Sequence, residues 1–301
     1  MKKLATCAWA VGLATLVAVP LSCRKGPDFS KVPPVVVALG PTWSTPDAAQ
    51  RFEPLRKYLE TKLQKPFKFE TFKTREAFSD FVKEGKASFV FCNPLDYAEV
   101  ADAAIVLAKA SYPGYGSMTR GILIVKEGES KKIRDVPAMK GASIMIISPD
   151  SSPGYLSQKI FFARNGLDLD LDFQLSRSPT GKADEVVAAV AAGQVEYGCV
   201  PFDLYPDNKP RGGAEYLTTT DNVPVDVFGF VEGGGDKMFA GQVRDALRKI
   251  PKDDPALKSL GLANFVLATQ AEYDIITNFL TQDKIDKAQR QSQPPASAAK
   301  K

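Results

Sequence analysis

Two adjacent serines beside a proline and a glycine, in Ser148-Pro149-Asp150-Ser151-Ser152-Pro153-Gly154-Tyr155, form a group of residues able to hold an anion. Ahead of them, Ser143-Ile144-Met145-Ile146-Ile147 reads as a buried strand. Behind them, Leu156, Ile160 and Ala163 recur at helical spacing, and Asn165-Gly166 supplies a stop. The serines therefore sit on a strand-to-helix turn, with Ser152 as N-cap and Pro153 as first helical residue. The N–H groups of Gly154 and Tyr155 then lack helical partners. A helix start carries roughly half a positive charge, and it attracts oxyanions. The same residues equally make an ordinary capped helix whose Ser152 oxygen satisfies its own turn.

Other residues bear on this chemistry. Lys182 follows Thr180-Gly181 at a second helix start, where a cation is unfavourable, so it is either recruited by a ligand or simply solvated. Asp96 and Asp203 follow two strand ends, as helix caps or as cleft residues. Facing a cleft, they would repel a dianion. They would suit a protonated oxyanion, whose hydroxyl donates to a carboxylate, or an amine. Cys92 and Cys199 are the only cysteines beyond the N-terminal segment. As nucleophiles they would need a base or a cationic neighbour. The chain has no histidine, which excludes His-based triads, HExxH zinc sites and zinc-deaminase patterns. No metal or cofactor is expected.

The elements that must position these residues fit within 301 residues, enough for two domains. Net charge is +4; without residues 1–22, which carry Lys2 and Lys3, the balance is 37 basic to 35 acidic residues. Nothing here argues for nucleic acid. Lys2 and Lys3 precede an apolar run from Leu4 to Leu21 and then Ser22-Cys23, the layout of an export signal. It resembles a bacterial lipoprotein signal with Cys23 as the acylated residue, although Pro20 stands where leucine is usual. Residues 23–33 read as a tether.

Strands and helices then alternate. Val35 to Leu39 is a strand, Phe52, Leu55, Leu59 and Leu63 mark a helix bent at Pro54, and Phe67 to Phe72 is a second strand. Thr74 caps a helix ending at Gly85, and Ser88 to Phe91 is a third strand. The order repeats beyond residue 120. Cys92-Asn93-Pro94-Leu95-Asp96 and Cys199-Val200-Pro201-Phe202-Asp203 look like one structural device used twice. The expected fold is α/β with two lobes, each a mostly parallel sheet flanked by helices. Lobe 1 takes residues 34–118 and 222–288, lobe 2 takes 119–221, and 289–301 form a disordered tail. Facing strand ends would make an interlobe cleft.

Several segments together resemble the phosphate/phosphite/phosphonate-binding proteins of ABC importers, within the type II periplasmic binding protein fold. They include Leu39-Gly40-Pro41, Asn93-Pro94-Leu95-Asp96-Tyr97, Tyr115-Gly116-Ser117, Ser151-Ser152-Pro153-Gly154-Tyr155 and Gly193-Gln194-Val195-Glu196-Tyr197-Gly198. The resemblance implies that Ser151 and Ser152 hold an oxyanion. Tyr97 and Tyr115, with Thr42 and Trp43, would line the first-lobe side, and Asp203 or Asp226 would take the place of the family's acidic contacts. Pro153 departs from the family pattern, and so does the missing histidine near Gly181–Ala183, for which Lys182 would substitute. The implied function is an exported, lipid-anchored monomer of the cell envelope that delivers a small oxyanion to an ABC permease, without catalysis. The alternatives are a different polar or amine-bearing ligand, a sensory role, or a cysteine-dependent enzyme on the same fold.

Overall fold

The computed structural model describes residues 29, 31–130 and 135–292. The signal segment and Cys23 lie outside the described residues. The first sheet is built from β1 (Val35–Leu39), β2 (Phe67–Thr71), β3 (Phe89–Cys92), β4 (Ala104–Ser111), β10 (Val227–Val231) and β11 (Asn264–Leu267), in the order β11-β4-β10-β3-β1-β2. The second holds β5 (Met118–Lys126), β6 (Ser143–Ile146), β7 (Gln174–Arg177), β8 (Tyr197–Pro201) and β9 (Ala214–Pro224), in the order β7-β6-β8-β5-β9. Helices α1 (Ala48–Leu63), α2 (Arg75–Lys83), α3 (Pro94–Ala98), α6 (Lys237–Arg248), α7 (Pro255–Lys258) and α8 (Gln270–Ser292) flank the first sheet; α4 (Ser157–Arg164) and α5 (Ala183–Ala191) flank the second.

Both sheets are mixed, and the reason is the route of the chain. β1 pairs in parallel with β2 and β3, and β6 pairs in parallel with β7 and β8. β10 runs antiparallel to β3, and β5 runs antiparallel to β8. A strand arriving from the other lobe begins at the cleft, whereas its neighbours end there. The register shows this directly: Val227 pairs with Cys92 at the end of β3, and Gly121 pairs with Pro201 at the end of β8. β9 stays in the second sheet through Pro224, so the return crossing is confined to Val225 and Asp226.

The faces are packed as their sequences predict. In β3 and β10 every residue is buried, as befits central strands covered on both sides. Phe52, Leu55 and Leu59 of α1 are buried against Phe67, Phe89 and Phe91. On the opposite face, Phe78 and Val82 pack with Val90, Tyr97 and Tyr273. Cys92 and Cys199 are free, buried thiols in separate sheets, and burial pushes both well up from the ordinary thiol range. Residues 289–292, expected in a polar tail, continue α8; the rest of that stretch lies outside the described residues.

Helix α8 straps the lobes together. Its first turns are fixed to the first sheet: Gln270 Oε1 accepts from Val106 N at 3.0 Å, and Tyr273 O–H donates to Val225 O at 2.6 Å. Its later turns meet the second lobe. There Lys159 of α4, its side chain 4% exposed, bridges Asp170 at 2.6 Å and Asp283 of α8 at 3.0 Å. Lys287 contacts Asp170 and Asp283 as well, and Arg290 lies 3.6 Å from Asp168. Beside this ionic cluster, Leu95, Leu156, Ile160, Val223 and Ile276 form an apolar contact between α3, α4 and α8.

Candidate functional site

A cavity of about 310 Å³ opens between the two sheets at their strand ends. First-lobe residues Thr42, Trp43, Arg51, Asn93 and Tyr112 line one wall, and Asp150 to Pro153 line the other. Tyr115, Thr119, Val225 and Asp226, from the two crossings, form the hinge side. A second compartment of about 290 Å³ shares Tyr115 and Thr119 and adds Arg120, Phe202, Asp203 and Asn222.

The serine turn has a different geometry from the one its sequence suggests. Ser151, not Ser152, is the N-cap: its Oγ accepts from Gly154 N at 3.0 Å. A π-turn over Ser152–Leu156 follows, with Leu156 N bonding Ser151 O at 3.1 Å, before regular helix begins. The Gly154 amide is thus spent on the cap. Ser151 keeps its hydroxyl proton to donate. Ser152 is 9% exposed and lines the cavity, and its hydroxyl has no hydrogen-bond partner among the described residues. The turn is held from below by Gln158, whose Nε2 donates to Pro153 O at 2.8 Å.

Besides Gly154, three predicted contacts lie elsewhere. Tyr97 follows Asp96 on α3, and a one-residue step on a helix turns the side chain by about 100°. Its ring is buried in the first core, and its hydroxyl donates to Ala104 O at 2.8 Å. Tyr155, rotated by the π-turn, donates to Asp170 at 2.9 Å and joins the strap cluster. Lys182 is exposed at the start of α5 and lines neither compartment; its backbone N–H is taken by Ser178 Oγ. Thr42, Trp43, Tyr115, Ser151, Ser152 and Asp226 are brought together in the main cavity, and Asp203 falls in the second compartment.

Asp226 organises the hinge side. It accepts from Trp43 Nε1 at 2.9 Å and from the Tyr112 hydroxyl. Burial pushes its carboxyl above the ordinary range, against the pull of these two donors. Tyr112 in turn stacks on Tyr115, ring centroids 5.1 Å apart and 17° from coplanar. Asp96 is fully buried outside the cavity lining. One oxygen accepts from Arg75 Nε at 2.8 Å and the other has no partner among the described residues; burial raises this carboxyl to about 6. Arg75 also reaches Asp150 across the lobes at 2.5 Å, while Asn93 Nδ2 donates to Asp150 O at 3.2 Å. These bonds dock the serine turn on the first lobe.

Arg51, Tyr112 and Arg120 are site residues that the sequence did not single out. Arg51 Cζ lies 5.2 Å from the Trp43 ring centroid, and Arg120 Cζ lies 3.6 Å from that of Phe202. Arg51 carries no sequence signal, because it lies on a helix start far from the serines in the chain. Tyr112 did carry one, in the spacing Tyr112-Pro113-Gly114-Tyr115 around a tight turn closed by a Tyr112–Gly116 bridge.

Two mixed α/β sheets flanked by helices, joined at a cleft by two crossings, define the type II periplasmic binding protein fold. Residues 37–273 match the family described as "ABC transporter, phosphonate, periplasmic substrate-binding protein". The chain belongs to that family of periplasmic substrate-binding proteins of ABC transporters. No curated protein sequence matches it. Among solved structures it is similar to XAC2383 from Xanthomonas citri bound to chloride ion, with TM-score 0.67 and 16% identity over 84% of this chain and 99% of that one. It is also similar to PhnD1 from Prochlorococcus marinus in complex with methylphosphonate, with TM-score 0.58 and 15% identity over 82% and 98%. A third is a binding protein component of an ABC phosphonate transporter from Pseudomonas aeruginosa, with TM-score 0.55 and 15% identity over 87% and 100%. Among the described residues no helix is long and apolar enough to cross a membrane.

Proposed function

We propose that this protein captures a small oxyanion of the phosphonate, phosphite or phosphate type in its interlobe cleft for an ABC importer. The observation that carries the reading is the Ser152 hydroxyl, nearly buried, without a partner among the described residues, and in one cavity with Arg51. Ser151 and Ser152 supply hydroxyl donors, Arg51 supplies charge, and Trp43 and Tyr112 are oriented by Asp226. PhnD1, similar in fold, is known in complex with methylphosphonate, which supports the same ligand class. The lobes expected at residues 34–118 with 222–288 and at 119–221 are shifted slightly by the sheet pairing, since β5 opens at Met118 and β9 runs to Pro224 in the second sheet. Buried thiols raised out of the thiolate range oppose a cysteine-dependent reaction.

A hydrogen bond to a charged ligand is worth roughly 1.5–3 kcal/mol. Ser152→Ala should therefore weaken oxyanion binding roughly ten- to a hundredfold. Calorimetry with phosphate, phosphite, methylphosphonate and sulfate tests this. Failure of all four to bind the unaltered protein more tightly than about millimolar would end the oxyanion reading.

Export and acylation at Cys23 belong to the same proposal, on the strength of Lys2, Lys3, the apolar run and Ser22-Cys23. Labelled palmitate should enter the full chain and not its Cys23→Ala variant. Equal labelling of both would rule the lipid anchor out.

A further inference from the structure

The arginines of the described residues fall into three groups. Arg56, Arg75, Arg164, Arg211, Arg244 and Arg290 each pair with a carboxylate. Arg177 and Arg248 are exposed. Arg51 and Arg120 are half-buried, and neither guanidinium has an ion pair or a hydrogen bond among the described residues. Both line the cleft, one in each compartment.

Their geometry is alike. Each guanidinium carbon lies over a ring, Arg51 5.2 Å from the Trp43 centroid and Arg120 3.6 Å from that of Phe202. A ring contact spends none of the N–H donors, which form a planar fork matched to a carboxylate or phosphonate. Two such donor sets, neither in an ion pair among the described residues, therefore face the two compartments of one cleft. The two compartments share Tyr115 and Thr119 in their linings, and Tyr115 stacks on Tyr112.

We infer that the ligand carries two anionic groups, an oxyanion head at the serine turn beside Arg51 and a second, carboxylate-type group at Arg120. The inference rests on the oxyanion reading of the first compartment and names the class of ligand more closely. Asp203 lines the second compartment but forms no ion pair with Arg120. Were Asp203 the selective group, an amine would take the place of the carboxylate.

The test is calorimetry of the full-length mature protein with methylphosphonate, 2-aminoethylphosphonate, phosphonoacetate, 3-phosphonopropionate and 4-phosphonobutyrate. At least one phosphonocarboxylate should bind about tenfold or more tighter than methylphosphonate, the effect of one charge-assisted contact. In R120Q that ratio should fall to about one. R120K, which keeps the charge and loses the fork, should give an intermediate ratio. The ratio in the unaltered protein decides the matter even if a variant misfolds. Equal binding of methylphosphonate and every carboxylate, or tightest binding of 2-aminoethylphosphonate, overturns the two-anion ligand and leaves the oxyanion reading standing. A ratio that survives in R120Q overturns the role of Arg120. Binding of none of the five overturns both readings together.

Discussion

Lys159→Ala is expected to lower the folding free energy by about 3–5 kcal/mol, the usual cost of removing one partner from a buried ion cluster. Lys159 is 4% exposed at its side chain and stands between Asp170 and Asp283. Without it, Lys287 alone must balance both carboxylates, and the Tyr155 ring loses its neighbouring cation. The effect reaches beyond one lobe, since Asp170 belongs to the second lobe and Asp283 to the helix fixed on the first. Lys159→Met keeps the buried stem and should cost less, because well-packed apolar replacements of buried charges are often tolerated. Urea unfolding of the three proteins measures this. A loss within about 0.5 kcal/mol for the alanine variant, the range of surface substitutions, would show that the cluster does not tie the lobes.

Gly121→Ala is expected to be nearly as damaging, by overpacking. An added Cβ would lie 1.9 Å from Gln158 Nε2 and 2.2 Å from Pro153 O. The first atom belongs to a side chain, but that side chain is fully buried. The second is backbone of the serine turn itself and moves only if the turn moves. Gly121 N also donates to Ser157 Oγ at 2.9 Å, which locks β5 to the start of α4. The variant should lose about 3 kcal/mol of stability, the upper part of the ordinary range for forced core insertions. On the oxyanion reading it should also bind roughly tenfold or more weakly, a change of about 1.4 kcal/mol or more. Unfolding and calorimetry on the same preparation check both. Unchanged values for stability and affinity would mean that the turn is not seated against β5 as described.

Much of the fold was legible because it is locally encoded. Fully apolar runs such as Phe89–Cys92 and Val227–Val231 announce central strands, and Thr74 caps α2 as its position before the apolar stripe implies. The serine turn was located correctly and its cap misplaced by one residue. Ser151 and Ser152 are equally good caps on propensity, and the choice between them falls to Ile147 and Gln158, which pack the turn into its π form. β11 is not announced by the sequence. Its four residues, Asn264–Leu267, have no alternation of their own and form a strand because β4 offers an open edge.

By itself, the sequence determined the alternation of elements, the absence of histidine chemistry, the two-lobe plan and the position of a hydroxyl-rich helix start at a strand end. These follow from composition and from periodicity within some ten residues. The tertiary structure decided which charge serves which place. Lys182, near the serines in chain order, is solvated, while Arg51 and Arg120 reach the cleft from a first-lobe helix and a crossing strand. Asp226 faces Trp43 across 183 residues of chain, and Tyr155 turns to Asp170. A charged side chain shows no pattern that reveals its partner. Its place is fixed by the burial of apolar neighbours far away in the chain, and that information is carried only by the packed molecule.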